Sequence, residues 1–197
     1  MPNWCQNSLF LSGPKDVIQE IAETKLSLQK LVPCPQELLE TEAVYANEAG
    51  DMPSKMQQNQ EKYGYKSWYD WCVENWGTKW DVGPVDDLEI FEEDHDKFEL
   101  RSNFDSAWGP PVAAFEDIYD KYKDRGLRIR LEYLESGNRF MGVAHTTDGS
   151  FHDEYRDYSN ADELEEYVNE LEHFLAESEV EYLREMEAEE DQNNSDD

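Results

Sequence analysis

From Lys97 to Asn103 and Phe104 the chain keeps a period of two. Phe98, Leu100, Ser102 and Phe104 fall on one side, and Lys97, Glu99, Arg101 and Asn103 on the other. That is the pattern of a half-buried strand. With "DLEIF" before it, the segment reads as two strands around an acidic turn near Glu92 to Asp96. Leu127, Ile129, Leu131 and Tyr133 repeat the alternation. "RFMGVAH" is apolar on both faces and predicts a central strand, and "SFHDEYRDY" predicts an edge strand after the Thr147-Asp148-Gly149 turn. Near the start, Leu9 to Leu11 form a short apolar run. Ser12-Gly13-Pro14 punctuates it, and Val17, Ile18 and Ile21 follow at helical spacing, giving strand, turn and helix.

Other segments keep a helical period. Trp68, Trp71, Cys72 and Trp76 share one helix face, with Gly77 as a C-terminal cap. Pro111, Phe115, Ile118 and Tyr122 mark the buried stripe of a helix that Gly126 ends. Leu164, Val168, Leu171, Leu175, Tyr182 and Met186 follow a three-four spacing after a start near Ser159-Asn160-Ala161, predicting one long C-terminal helix. "LQKLVPCP" predicts a short extended piece followed by one or two helical turns. In "NWGTKWD", Thr78, Trp80 and Val82 alternate as a short strand would, with Lys79 and Asp81 outward. Residues 41–66 carry little periodicity and read as a long loop or a mobile helical insertion. The expected organisation is an α+β domain over 1–158, with helices on one face of a largely antiparallel sheet. An acidic helix over 159–187 and a disordered acidic tail over 188–197 follow.

Charge alters this picture more than composition does. The 197 residues hold 17 Lys and Arg against 47 Asp and Glu, a net charge of −30. From Ala161 onward there are 16 acidic residues and one basic residue, Arg184, so half of the excess sits there and half in the body. Such a chain repels nucleic acid, whose binding needs Lys and Arg to displace counterions. It also repels anionic membranes and favours basic partners. Glu163, Glu166, Glu170, Glu177, Glu181 and Glu185 fall near one face of the predicted helix and are the candidate partner-binding residues. Spaced about 6 Å apart along a helix, they are sparser than duplex DNA, with a charge about every 1.7 Å. Mimicry of DNA would therefore need the body's acids beside them. The second half of the helix is also a candidate self-association seam for a homodimer.

Candidate chemistry is thin. Neither a glycine-rich phosphate loop nor a nucleophile elbow is present. Cys5, Cys34 and Cys72 lie in apolar or aromatic contexts without a histidine partner and read as buried thiols of a reduced compartment. His145 and His152 lie on neighbouring predicted strands across the turn, but a metal site needs three or four converging ligands. His95 lies in an acidic turn whose spacing fits no calcium loop. No catalytic set, metal or cofactor is expected. Neither a leader nor a membrane span is read in the sequence. The aromatic density around Trp76, Trp80 and Trp108, with Lys79 and Arg101, marks a candidate small-ligand or nucleotide pocket.

The blocks "MPNWCQNSLFLSG", "LVPCPQEL", "WYDWCVENWGTKWD" and "FDSAWGPP", in this order, resemble the YubB-type ferredoxin-like family of phage and conjugative-plasmid proteins. The likeness spans Met1 to about Gly142, with 41–66 unpatterned between the blocks; the helix after Asn160 lies outside it. The resemblance implies a ferredoxin-like fold, a mobile-element origin and a place in the host-cell cytoplasm. It brings no catalytic residues. With the charge, it leads to the expectation of a non-enzymatic protein that binds and inhibits or modulates a basic, nucleic-acid-binding host or defence protein. The alternative is a small-ligand module.

Overall fold

A computed structural model describes residues 3–43, 53–94 and 96–195. The chain runs β1 (Trp4–Pro14), α1 (Lys15–Glu23), α2 (Leu28–Leu31), α3 (Gln36–Leu39), α4 (Ser54–Tyr63) and α5 (Trp68–Trp76). It continues β2 (Glu89–Asp94), β3 (Lys97–Ala107), α6 (Val112–Tyr122), β4 (Arg128–Glu135), β5 (Phe140–Thr147), β6 (Ser150–Asp157), α7 (Ala161–Leu171) and α8 (Glu177–Ser195). The strands form one sheet in the order β2-β3-β1-β4-β5-β6, every neighbouring pair antiparallel. Strands β1, β2, β3 and β4 with α1 and α6 make the ferredoxin-like α+β unit. The β5–β6 hairpin extends it on the β4 side.

The alternation seen in the sequence sets the faces. Leu9, Leu11, Leu100, Ile129 and Leu131 point to one side, where Val17, Ile18 and Ile21 of α1 and Phe115, Ile118 and Tyr122 of α6 close the main core. Each such buried side chain contributes about 1.5–3 kcal/mol. Beside it, Trp71, Cys72 and Trp76 of α5 pack with Leu28, Cys34 and Leu38 in a second cluster. On the opposite face, Leu134, Met141 and Val143 are covered by Leu164, Val168, Leu171, Ala176, Val180 and Leu183 of α7 and α8. The C-terminal helices therefore dock on the face away from α1 and α6, and they cover only its β4–β5 part.

Four local expectations are corrected. The single C-terminal helix is two helices folded into a hairpin, broken at Glu172, whose φ of 50 is left-handed. Helix α8 runs to Ser195 where a disordered tail from 188 was expected, because Glu and Ala at 185–190 are good helix formers. The piece before Pro33 is the short helix α2 rather than extended chain. Residues 77–88 form no strand: Gly77 reverses the chain at φ 82 and Asp81 turns inward to bind α2. Within the unpatterned insertion, α4 is helical and ends on Gly64 at φ 81. Buried Asn59 ties α4 to the body by donating to Thr41 Oγ1 at 2.9 Å and to the Lys66 carbonyl at 3.2 Å.

Candidate functional site

The hairpin turn between α7 and α8 is built on two buried titratable groups from the predicted strand and helix. Glu132 of β4 is 1% exposed. Its carboxylate accepts from Arg130 Nε at 3.0 Å, from the Phe174 amide at 3.1 Å and from the Leu175 amide at 3.3 Å. His173, also 1% exposed, lies with Nε2 3.1 Å from the Tyr133 carbonyl and accepts the Ala176 amide on Nδ1 at 3.2 Å. Nε2 faces an acceptor and Nδ1 a donor, so the imidazole fits as the neutral Nε2–H tautomer. Arg130 completes the latch by donating to the carbonyls of Leu171 and Glu172 at 2.9 and 2.8 Å. The orphan groups at the end of α7 and the turn amides before α8 are thus satisfied by side chains of the sheet.

Burial holds His173 below its ordinary pKa of 6.5, and the nearby Glu132 carboxylate opposes that only in part. The folded chain therefore stays unprotonated at His173 at a pH where the unfolded chain takes up a proton. Stability is expected to fall as pH drops below about 6.5, by up to about 1.4 kcal/mol per pH unit from this group. Thermal unfolding of the wild type and of His173→Gln between pH 7 and 5 checks this. The wild-type midpoint should fall more steeply with acid than that of the variant.

The six candidate glutamates do not form one stripe. Asn160 caps α7 by accepting the Glu163 amide at 2.9 Å, and Glu163 returns to the Ser159 amide at 2.8 Å, a reciprocal cap. Glu170 pairs with Arg156 at 3.3 Å. Glu187 of α8 accepts the Ala161 amide, fixing the end of the hairpin. Glu166 on α7 and Glu177, Glu181 and Glu185 on α8 are exposed and make no ion pair among the described residues. Arg184 reaches across from α8 to Asp162 and Glu165 of α7. Glu177 and Glu181, seven and three residues before it, share its flank. Glu177, Glu181 and Glu185 thus recur at four-residue steps of about 6 Å along α8, and α7 adds Glu166 to them.

The aromatic candidates separate into three places. Trp76 is 3% exposed, donates Nε1–H to the Val32 carbonyl at 2.8 Å and meets Trp71 edge-on, so it belongs to the core and not to a pocket. Arg101 lies six residues along β3 from Ala107, roughly 20 Å away. Lys79, Trp80 and Trp108 do converge. Lys79 Nζ sits 4.4 Å from the Trp108 ring, 4.6 Å from Trp80 and 6.0 Å from Tyr69, a cation held by π faces. Trp4 joins the cluster 6.2 Å from Trp80. Trp4, Trp80 and Trp108 are 51%, 41% and 43% exposed. Gly77 permits the approach: a Cβ there would lie 2.6 Å from the Pro110 carbonyl oxygen. Trp4 and Tyr69 were not anticipated, since only the strand pairing brings residue 4 beside residue 107.

The other candidate chemistry resolves as follows. Burial pushes the Cys5 and Cys72 thiols up to about 12 and the Cys34 thiol up to about 11, so all three stay protonated at neutral pH. His145 and His152 are cross-strand partners with rings 6.0 Å apart. His95 lies outside the described residues. Among the described residues no three His, Cys, Asp or Glu side chains are grouped as metal ligands. No helix among them is long and apolar enough to cross a membrane.

The matching segment runs from the first edge strand, β2, to the hairpin turn. Residues 89–175 match the family model described as the ferredoxin-like domain in Api92-like protein. The matched residues span β2–β6, α6, α7 and both Glu132 and His173; β1, α1 and the Trp80 loop lie before them. A crystal structure of a protein api92 from Yersinia pseudotuberculosis is similar at 13% identity and a TM-score of 0.43, covering 81% of this chain and 99% of that one. Curated proteins give no match.

Proposed function

We propose that this chain is a non-enzymatic binding protein of phage or plasmid origin. It engages the basic, nucleic-acid-binding face of a host or defence protein in the cytoplasm and inhibits or modulates it. The observation that carries the reading is the set of exposed glutamates on the α7–α8 hairpin: Glu166, Glu177, Glu181 and Glu185 make no ion pair among the described residues, and Arg184 beside them is engaged by Asp162 and Glu165 of α7. Unpaired carboxylates at this spacing attract Lys and Arg arrays and steer their approach. The net charge of −30 makes the field of the whole chain negative. The mobile-element origin rests on the resemblance of the N-terminal blocks. A ligand-binding role for the Lys79 cluster is the weaker reading, because Trp76 belongs to the core and Arg101 lies roughly 20 Å along β3, so the candidate pocket residues do not converge.

The test is the quadruple change of Glu166, Glu177, Glu181 and Glu185 to Gln, all at exposed positions where surface substitutions cost little stability. Wild type immobilised in host extract is expected to retain DNA-binding proteins at low salt and release them at high salt. The quadruple variant should retain them at least about tenfold less well, the loss of about 1.4 kcal/mol spread over four rim charges. Equal retention by the variant would contradict the assignment of the hairpin.

A further inference from the structure

The hairpin leaves half of its sheet face open, and the strand register places an ordered set of side chains there. One cross-strand row reads Glu89, Arg101, Phe10, Arg130, His145 and His152 over six strands. The next row reads Phe91, Glu99, Ser12 and Arg128. Adjacent strands stand about 4.8 Å apart, so neighbours within a row touch. The Arg101 guanidinium lies between two rings, 5.4 Å from Phe10 and 5.5 Å from Phe91, and Glu99 fixes it by an ion pair. Arg130 is held by Glu132 and by the carbonyls that end α7. Beside them lies a groove of about 420 Å³ lined by Phe10, Ser12, Glu99, Arg128, Arg130 and His145, with others.

Arg128 is the informative residue. The chain holds 47 acids and 17 bases, yet this exposed arginine makes no ion pair or hydrogen bond among the described residues. It sits on the strand next to Phe10, two residues along, with the Ser12 hydroxyl opposite. A guanidinium–phenyl platform stacks a planar aromatic group, and a free guanidinium beside it accepts a phosphate. The groove volume is that of a small-ligand site. The nearby Glu99 and Glu93 carboxylates offer acceptors for amino and hydroxyl groups.

We propose that this groove binds a nucleoside monophosphate, with the base against Phe10, whose ring Arg101 flanks, and the phosphate on Arg128. A free mononucleotide fits better than a strand, because the net charge of −30 opposes each added phosphate. The site needs no part of the partner-binding reading, which rests on the opposite side of the hairpin helices.

Calorimetric titration of the full chain with AMP, GMP, CMP and UMP tests it. At least one should bind saturably with a Kd below about 1 mM. Arg128→Ala should weaken that binding about tenfold, the loss of one charge-assisted contact. Phe10→Leu, which keeps an apolar group on the open face, should weaken it several-fold. Trp108→Ala should leave it unchanged. Absence of binding by all four nucleotides overturns the proposal, as does binding indifferent to Arg128→Ala or lost through Trp108→Ala. Tighter binding of a single-stranded oligonucleotide than of any mononucleotide overturns it too.

Discussion

Glu132→Ala is expected to destabilise the protein by about 3–5 kcal/mol and to free the α7–α8 hairpin from the sheet. The magnitude follows from what the carboxylate satisfies. It is the acceptor for the Phe174 and Leu175 amides and the charge partner of Arg130; Glu132 itself is 1% exposed and the Arg130 side chain 31%. Most of it is the loss of the acceptor for the two amides, about 1–3 kcal/mol each; Arg130, partly solvated and still bonded to the Leu171 and Glu172 carbonyls, adds less than the partner in a fully buried pair would. Glu132→Gln keeps the shape and one acceptor oxygen, and should cost about 1–3 kcal/mol. Urea unfolding gives the total. Hydrogen exchange locates it, with Leu164 to Leu183 losing protection before β1 and β3 in the alanine variant. Uniform loss over the whole sheet would show that Glu132 supports the core rather than the hairpin.

Asp81→Ala is the second large effect, expected at about 2–3 kcal/mol. Two carboxylate oxygens accept four donors: the Leu28 amide at 2.6 Å, the Gln29 amide at 3.2 Å, the Ser27 hydroxyl at 2.8 Å and the Gly83 amide at 3.0 Å. The aspartate replaces the missing side-chain cap of α2, since Ser27 itself makes none, and binds the loop that carries Lys79 and Trp80 to that helix. Hydrogen bonds to a charged group contribute about 1.5–3 kcal/mol, and a lost cap about 1 kcal/mol. These overlap here, so they do not sum. Chemical unfolding of Asp81→Ala measures the loss. Tryptophan emission should also shift, because the Lys79–Trp80–Trp108 contact depends on the same loop. An unshifted spectrum with full stability would show that the cap is dispensable.

The strands were legible because each carries its burial on its own sequence. Phe98, Leu100 and Ser102 alternate with charged residues, and the register of β3 on β1 merely confirms it. The second buried face was not legible, since β4 shows Glu132 and Leu134 opposite Leu131 with nothing local to say that a helix covers them. The break in the C-terminal helix was hidden for a related reason. Leu171 and Leu175 keep the three-four spacing through the turn, and no Gly or Pro interrupts it. What breaks the helix is the distant Glu132 drawing in the amides of residues 174 and 175. Asp81 looked outward on alternation, but its oxygens are claimed by amides 53 and 52 positions earlier. Of the acidic candidates, Glu163 stands three residues after Asn160, a cap spacing that the sequence itself shows, whereas Glu170 could not be separated from Glu166, because only the fold brings Arg156 of β6 beside it.

The central claim is that the exposed glutamates of the hairpin occupy a nucleic-acid-binding face. The most direct measurement is displacement. A DNA-binding protein captured from host extract is bound to labelled duplex DNA, and increasing amounts of this chain are added at low and at high salt. The wild type is expected to release the DNA at low salt, to lose that effect steeply as salt rises, and to need all four of Glu166, Glu177, Glu181 and Glu185 for full potency. Release that is indifferent to salt, or equally strong with the four glutamates changed to Gln, would contradict it.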